Sequence, residues 1–439
     1  MSKLLDLADD VVRQSLALGA DQASVTVSQG SHTTLIRRAG KVEQATQSTT
    51  RGLVVSLLAD DRYSSHSTSD LRPEALATFL KRAVEATRYL EPDPDRRQPP
   101  AELCGRGTSE EALDQLDPAW ADRTAEDRAK MALNLEAGLD AIAPESRISS
   151  AVYVGDGSSE TARVMSNGFS DAHRGAWFAF GGEMTLSDAE GRRPEAAAYY
   201  SARYLDDLPD LETVNAEVVR RARARIGSRS IESGTYPMLL QNRAVGRILG
   251  ALMGPLSGGS LHEGRSCLAD KQGERLGSPL FTVIDDPTLP RGLGSRPWDG
   301  DGLAARHRDV FRDGVFESYY ISVYYGRKLD MPPTSGSRSN WVVPTGEPLA
   351  ERLRALPRAI LVDGFLGGNS NSVTGDFSFG IRGVLLEHGE PTRSLSEMNV
   401  GGNVLTLFQR LVAVGDDPWR YSSLVSPSLL FEDVQFSGV

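Results

Sequence analysis

The first ninety residues change their hydrophobic period twice. Apolar residues recur at helical spacing from Leu4 to Leu16 and Gly19 follows, which predicts a helix that Ser2 caps. Residues 23–58 then alternate apolar and polar side chains between glycines, as strands of a meander do. A second helix is predicted over 73–90, because Pro73 opens a stretch with one apolar face.

The order of helix, strands and helix recurs after a linker. Residues 93–113 are rich in proline and charge and have no periodicity. A helix is predicted at about 121–142, strands follow, and a helix over 211–228 closes the second unit. We expect an α/β domain at 1–92 and a middle α+β domain at 114–230. No residue-level repeat supports a duplication.

Beyond about residue 234 the chain is dense in glycine and proline, which predicts a β-rich C-terminal domain over 231–439. One apolar helix is predicted at Arg243–Met253. Gly246, Gly250 and Gly254 recur there every four residues and form a flat seam, which we expect to pack closely against a sheet. The predicted fold class is α+β, with two helix–meander–helix units before the β-rich domain.

Composition narrows the class of protein. The chain has 48 Lys+Arg and 59 Asp+Glu, a formal charge of −11, which argues against nucleic-acid and anionic-membrane partners. No stretch approaches the length of an apolar transmembrane helix, and acids interrupt the N-terminal apolar residues. Cys104 and Cys267 are too few for a disulfide framework, so we expect a cytoplasmic protein.

Common catalytic motifs are absent from the sequence: there is no phosphate-binding G-x-x-x-x-G-K-[ST], no G-x-S-x-G and no C-x-x-C. In LHEGRSCLAD, His262 and Cys267 could be zinc ligands with Glu263 as a general base. Residues five apart on a helix point about 140° apart, which disfavours that site. The alternative is that His262 and Glu263 are polar loop residues and Cys267 is a small core residue.

The densest polar cluster runs from Gly367 to Glu390. Small hydrogen-bonding residues stand among glycines, and Phe377, Phe379 and Ile381 then alternate as in a strand. Two interpretations stay open: a loop that presents backbone to a peptide by strand addition, or a tight turn with Asx caps. In the segment TSGSRSNW, Arg338 could clamp a carboxylate or be a surface residue.

Five segments of the C-terminal part form a recognisable set: LGALMGPLSGGSL, the run from RGLGSRPWDGDG to MPPTSG, GGNSNSVTGDFSFGIRGVLLEHGE, GGNV and SPSLLFEDVQFSG. Together they resemble the TldD/TldE (PmbA) metallopeptidase family. The N-terminal segment RRAGKVEQATQSTTRGLVVSLL also fits. The resemblance therefore spans nearly the whole chain, and its most specific parts are TGDFSFGIRG and PSLLFEDVQFSG.

The resemblance implies a division of labour between two kinds of subunit. TldD-type chains carry H-E-x-x-x-H on a helix, bind zinc and hydrolyse peptides, and TldE-type chains share the fold without that motif. The metal helix should fall at Arg243–Met253, whose sequence RAVGRILGALM contains no His, Glu, Asp or Cys. TldD-type chains also supply a cysteine ligand near the C-terminus, and no cysteine follows Cys267 here.

By this resemblance the chain is a TldE-like subunit with no zinc of its own, and zinc is expected in a TldD-type partner. It would belong to a metallopeptidase that trims or degrades unfolded or modified peptides, and would be inactive alone. A homodimer could form when the chain is isolated. The alternative is a homodimeric peptide-binding or scaffold protein without peptidase activity.

The resemblance carries over no catalytic residue, but it does carry over scaffold positions. These positions match family motifs near its central cavity, and we expect them to contact the partner subunit or to line a substrate channel. They are Arg338, Asn340, Gly368, Asn369, Thr374, Gly375, Asp376 and Ser378.

Overall fold

Six long strands of the N-terminal half form one antiparallel sheet. They are β1 (Gln22–Arg38), β2 (Lys41–Ala59), β3 (Arg62–Thr68), β4 (Arg147–Met165), β5 (Ser170–Leu186) and β6 (Glu195–Ala202). Their order is β3-β2-β1-β4-β5-β6. The computed structural model describes residues 3–438, so the predicted cap at Ser2 lies outside the described residues.

Helices cover one face of this sheet. The helices of this half are α1 (Lys3–Ala17), α2 (Pro73–Thr87), the short α3 (Glu110–Leu113) and α4 (Ala119–Asp122), α5 (Ala125–Ala141) and α6 (Leu211–Arg223). On β1, Val25 is buried with residues of α1 and α2, and Leu35 is buried with residues of α5 and α6. Residues 25 and 35 share a side of the strand, so all four long helices lie on the same face.

The two halves of the sheet have the same architecture. Read outwards from the centre, β1-β2-β3 with α1 and α2 corresponds to β4-β5-β6 with α5 and α6. The central contact pairs β1 with β4 from Ser24–Met165 to Arg38–Ala151. The sequence units predicted at 1–92 and 114–230 are thus joined within one sheet. Helices and strands are both abundant, and the predicted α+β class is confirmed.

The C-terminal part is rich in strands, as predicted. They are β7 (Gly234–Leu240), β8 (Val283–Asp285), β9 (Arg308–Arg312), β10 (Val315–Phe316), β11 (Trp341–Val342), β12 (Arg358–Phe365), β13 (Asn369–Ser370), β14 (Asp376–Glu387), β15 (Glu390–Asn403), β16 (Leu411–Val414), β17 (Leu424–Val425) and β18 (Leu429–Ser437). The helices are α7 (Val245–Gly250), α8 (Gly258–His262), α9 (Val323–Leu329), α10 (Ala350–Ala355) and α11 (Val404–Leu407).

Five of these strands close into a barrel. In order β12, β7, β18, β15 and β14 pair with one another, and β14 pairs again with β12. The short β13 lies beside β14, and β16 pairs with β18. Phe379, Phe431 and Phe436 are fully buried in this core. A second sheet, β10-β9-β8-β11-β17, packs its Phe311 and Trp341 into the same cluster.

Charged and aromatic contacts hold the helix-covered sheet to the barrel. Arg225, just after α6, contacts Asp363 of β12 at 2.6 Å, and both side chains are 7% exposed. Arg243, just before α7, lies over the ring of Trp419 at 3.8 Å and donates a hydrogen bond to the Tyr200 hydroxyl. These contacts fix α7 relative to the sheet.

Among residues 3–438, no helix combines the length and the apolar character needed to cross a membrane.

A buried carboxylate anchors the segment that leads into α5. Asp156 of β4 is 1% exposed and accepts two hydrogen bonds from Arg128, each at 2.7 Å. Arg123 and the Trp120 indole also donate to it, at 3.1 and 3.2 Å. Removal of the charge leaves two guanidinium groups with little access to water, and that situation is costly in a protein interior.

We expect Asp156→Asn to lower the free energy of unfolding by about 3 kcal/mol, because it leaves Arg123 and Arg128 without their carboxylate. Urea denaturation of the full chain measures this change. The matched control is Asp140→Asn, since Asp140 pairs with Arg147 at the surface, where both side chains are more than 30% exposed. That control should cost less than about 1 kcal/mol. Equal losses in the two variants would contradict the anchoring role of Asp156.

Candidate functional site

The apolar helix of the C-terminal part is shorter than its sequence pattern predicts. The prediction was Arg243–Met253, but α7 spans only Val245–Gly250 and is followed by turns. The glycines do not form the expected seam against a sheet. A side chain at Gly246 would approach Leu424, one at Gly250 would meet open space, and one at Gly254 would collide with Ser372. The α7 face near Gly250 is therefore exposed backbone without a covering side chain, and we call the surface at Gly246 and Gly250 the α7 floor.

The side chains of α7 do not suit a zinc ion. The helix presents apolar residues, two glycines and Arg247, and none of these is a zinc ligand. Within residues 3–438, no three His, Cys, Asp or Glu side chains are grouped so as to hold a metal ion. No step of a reaction can therefore be assigned to a metal held by α7.

The structure gives His262, Glu263 and Cys267 separate surroundings. The His262 ring lies 6.0 Å from that of Tyr325, and Glu263 pairs with Arg265 at the surface. Cys267 lies under the loop at Gly375, and its backbone N–H donates to the carbonyl of Ser372. Burial raises the pKa of the Cys267 thiol, which disfavours the thiolate form that binds metals. The alternative site proposed from LHEGRSCLAD does not come together.

Residues 368–378 form a hairpin with an Asx-capped turn. The Asn371 side chain accepts a hydrogen bond from the backbone of Val373, and the Gly375 N–H donates to the Asn371 carbonyl. Gly375 has φ +84°, a conformation that favours glycine. Of the two interpretations left open by the sequence, the tight turn is confirmed. Strand addition directly to β14 is blocked at this point, because Asn369 and Ser370 of β13 already pair with it.

Asn403 ties this hairpin to the end of β15. Its side-chain amide donates to the Thr374 carbonyl at 2.7 Å and to the Asp376 carboxylate at 2.9 Å. Hydrogen bonds from Thr374 and then Asn403 hold the pKa of Asp376 below its usual range, so this carboxylate is charged at neutral pH. Six of the eight predicted scaffold positions therefore lie together on one exposed hairpin. They are Gly368, Asn369, Thr374, Gly375, Asp376 and Ser378.

Arg338 and Asn340 lie apart from the hairpin. Asn340 is 1% exposed, and its side chain bonds to Ser295 and to the backbone of Gly294 and Asp286. That placement makes Asn340 a core residue that fixes a loop, not part of a cavity wall. Arg338 is half-buried, and its guanidinium donates to the carbonyl of Ser423 at 3.3 Å.

The residue that sequence reasoning missed is Arg247. Its guanidinium lies over the Phe379 ring at 4.5 Å and donates to the Gly368 carbonyl at 2.8 Å. It thus joins α7 to the predicted hairpin. The sequence offered one signal, since Arg247 is the single charged residue within the helix Val245–Gly250.

Comparisons with known proteins agree with this architecture. The sequence profile of the PmbA/TldA metallopeptidase C-terminal domain matches residues 233–438, and that of PmbA/TldA metallopeptidase domain 1 matches residues 23–87. The chain is 25% identical to Metalloprotease PmbA of Escherichia coli O157:H7 over 99% of this chain and 96% of that protein. A PmbA homologue of Haemophilus influenzae is 24% identical over 99% and 98% of the two chains.

Solved structures extend the agreement to the whole fold. A Bacteroides thetaiotaomicron protein, described as a proposed modulator of DNA gyrase, is 34% identical with a TM-score of 0.94, over 99% of this chain and 98% of that one. TldE from Thermococcus kodakarensis has a TM-score of 0.87 at 18% identity, over 98% of this chain and 100% of that one, which shows a shared fold. These matches together establish that the chain belongs to the PmbA/TldD metallopeptidase family.

Proposed function

We propose that this chain is a TldE-like subunit of a peptidase and that a TldD-type partner supplies the zinc and the hydrolytic machinery. The observation that carries the proposal is the composition of α7. At the helix where the family resemblance puts the metal ligands, this chain has Arg247, glycines and apolar residues. A guanidinium repels a divalent cation, whereas it attracts anionic groups of a bound peptide.

The sheet face opposite the helices is covered at one end, where Arg163 of β4 donates to the Gly300 carbonyl, but its other end supports pairing with a second subunit. An aromatic groove of about 460 Å³ lies there and crosses five strands, β2, β1, β4, β5 and β6, with Arg38, Glu43 and Glu183 in its lining. We define it by Ile36, Tyr153, Trp177, Ala179, Tyr199 and Ser201. Tyr199 is 45% exposed although it is a large aromatic residue. Exposed apolar surface of this kind is typical of interaction sites.

Glycines make this groove possible. A side chain at Gly157 would lie 2.7 Å from the Trp177 indole nitrogen, and one at Gly181 would lie 2.6 Å from a ring carbon of Tyr199. Gly155 is similarly covered by the Tyr153 hydroxyl. These side chains therefore pack directly over glycine backbone, and the Tyr153 and Tyr199 rings meet edge to face at 6.2 Å. Ordered aromatic rings lose little conformational entropy on binding, which suits an interface.

The second candidate is a homodimeric peptide-binding protein without peptidase activity. The same aromatic groove supports it, since nothing in the groove selects a TldD-type chain over a second copy of this one. The two candidates differ in whether hydrolysis appears when a zinc-bearing partner is added.

Elemental analysis and peptidase assays separate these candidates. We expect the purified chain to carry no stoichiometric zinc and to leave an unfolded peptide uncut. Mixed with a TldD-type chain that carries H-E-x-x-x-H, it should give about one zinc per pair and measurable cleavage. The control is the TldD-type chain alone at the same concentration. Stoichiometric zinc and chelator-sensitive cleavage by this chain alone would refute the subunit proposal, and a pair without cleavage would favour the homodimer.

Trp177→Ala tests the groove as the pairing surface. If Trp177 is a central contact, its loss should weaken pairing by about 2 kcal/mol, roughly thirtyfold in Kd, measured by analytical ultracentrifugation. Tyr89→Ala is the matched control, because Tyr89 is 89% exposed and lies outside the groove. Thermal unfolding checks that both variants fold. An unchanged Kd for a folded Trp177→Ala variant would place the interface elsewhere.

A further inference from the structure

The Arg247 guanidinium is held in place by the protein, yet most of its N–H donors form no hydrogen bond with the described residues. Its stacking on Phe379 and its hydrogen bond to the Gly368 carbonyl fix the plane of the guanidinium. A guanidinium has five N–H donors, and within the described residues this one donates a single hydrogen bond, to the Gly368 carbonyl. The residue is exposed, and within residues 3–438 no carboxylate forms an ion pair with it. Its remaining donors are available to an outside group.

The surface beside Arg247 has two positions without a side chain. A side chain at Gly250 would meet no atom within 4 Å, and one at Gly246 would meet only Leu424, at 3.7 Å. Arg247 thus stands next to a floor of bare backbone. Such a floor lets another backbone approach closely.

A second cationic residue borders the same segment. Arg338 donates to the carbonyl of Ser423, and the next residue, Leu424, is the neighbour of Gly246 on α7. In the described part of the chain Arg338 has no carboxylate partner either. The chain as a whole has eleven more acidic than basic residues. Two arginines without a carboxylate partner in residues 3–438 therefore border α7, on a protein of opposite net charge.

Neither Asp376 nor Arg243 occupies the donors of Arg247. Asp376 is charged and accepts a hydrogen bond from Asn403 at the turn end of the hairpin, whereas Gly368 lies at its other end. Arg243, which precedes α7, is already paired with Glu217 across its aromatic stack. Arg247 is thus the preformed and unpaired donor group of the α7 surface.

We propose that Arg247, supported by the charge of Arg338, binds a carboxylate of an extended peptide that lies along the α7 floor. A planar guanidinium matches a carboxylate with two parallel hydrogen bonds, which a lysine cannot reproduce. The carboxylate belongs either to the C-terminus of the peptide or to an acidic side chain, and both offer the same chemistry. The proposal rests on the peptide-handling function and adds a preference among peptides to it.

The test is fluorescence anisotropy of the full chain with four labelled unfolded peptides that differ in two features only. The C-terminus is either a free carboxylate or an amide, and one internal residue is either Glu or Gln. We expect loss of the recognised carboxylate to weaken binding about tenfold. Weaker binding of the amidated peptides identifies the C-terminus as the recognised carboxylate. Weaker binding of the Gln peptides identifies the acidic side chain instead. Increasing salt should reduce the difference between the peptides.

Variants assign the effect to Arg247. Arg247→Met should abolish discrimination between the acidic and neutral peptides, and Arg247→Lys should restore part of it. Arg265→Met is the matched control, because Arg265 is an exposed arginine that pairs with Glu263. It should leave the discrimination unchanged.

Three results would overturn the proposal. The carboxylate site is refuted, and peptide handling is not, if all four peptides bind equally or if a folded Arg247→Met variant discriminates fully. The carboxylate site and peptide handling are both refuted if no peptide binds either the chain alone or its pair with a TldD-type chain. The zinc and cleavage assays are independent of all three results, so failure of the subunit proposal is recognised separately.

Discussion

The antiparallel pairing of β1 with β4 is the contact on which the N-terminal half depends. It brings together two units that are more than a hundred residues apart in the chain, and it runs from Ser24 to Arg38 along β1. Each hydrophobic cluster draws residues from both units: Ala162 and Val164 pack with α1, and Leu35 packs with α5. A slip of one residue would turn these side chains to the other face and leave both helix pairs without a core.

The same strand register determines which side chains lie on the face opposite the helices. Residues that alternate with the buried ones on β4 and β5 include Tyr153, Gly157 and Trp177, so the aromatic groove and the helix-covered core are two outcomes of one alignment. The sheet can expose aromatic side chains because its stability is supplied from the other side. A fold of this type separates the surface available to partners from the interior that holds the chain together.

Helices and strands could be predicted from the sequence wherever the spacing of apolar residues alone determines them. The helix that begins near Leu4 and the helix that Pro73 opens follow from apolar spacing, and both form. β4 is one strand of 19 residues that runs through Gly155 and Gly157, because pairing on both sides outweighs the low strand propensity of glycine. The joining of the two units had no local signal.

The candidate site was predictable in composition but not in arrangement. Small polar residues and glycines pointed to the hairpin at 368–378, and six of the eight expected positions lie there. Asn340 was expected with them because of its motif, yet it is buried under Gly294 and Ser295. Arg247 depends on contacts with Phe379 and Gly368, more than a hundred residues later, and no pattern within α7 reveals such contacts.

Closure of the barrel has a consequence for how the protein is made. Its first strand, β7, pairs with its last, β18, although Gly234 and Ser437 lie near opposite ends of the domain. During synthesis the helix-covered sheet is complete once α6 has emerged, whereas the barrel cannot close until β18 has left the ribosome. Pairings between distant segments form slowly and leave strand edges open in the meantime. The N-terminal sheet and its helices can therefore fold before β7 has its pairing partner β18.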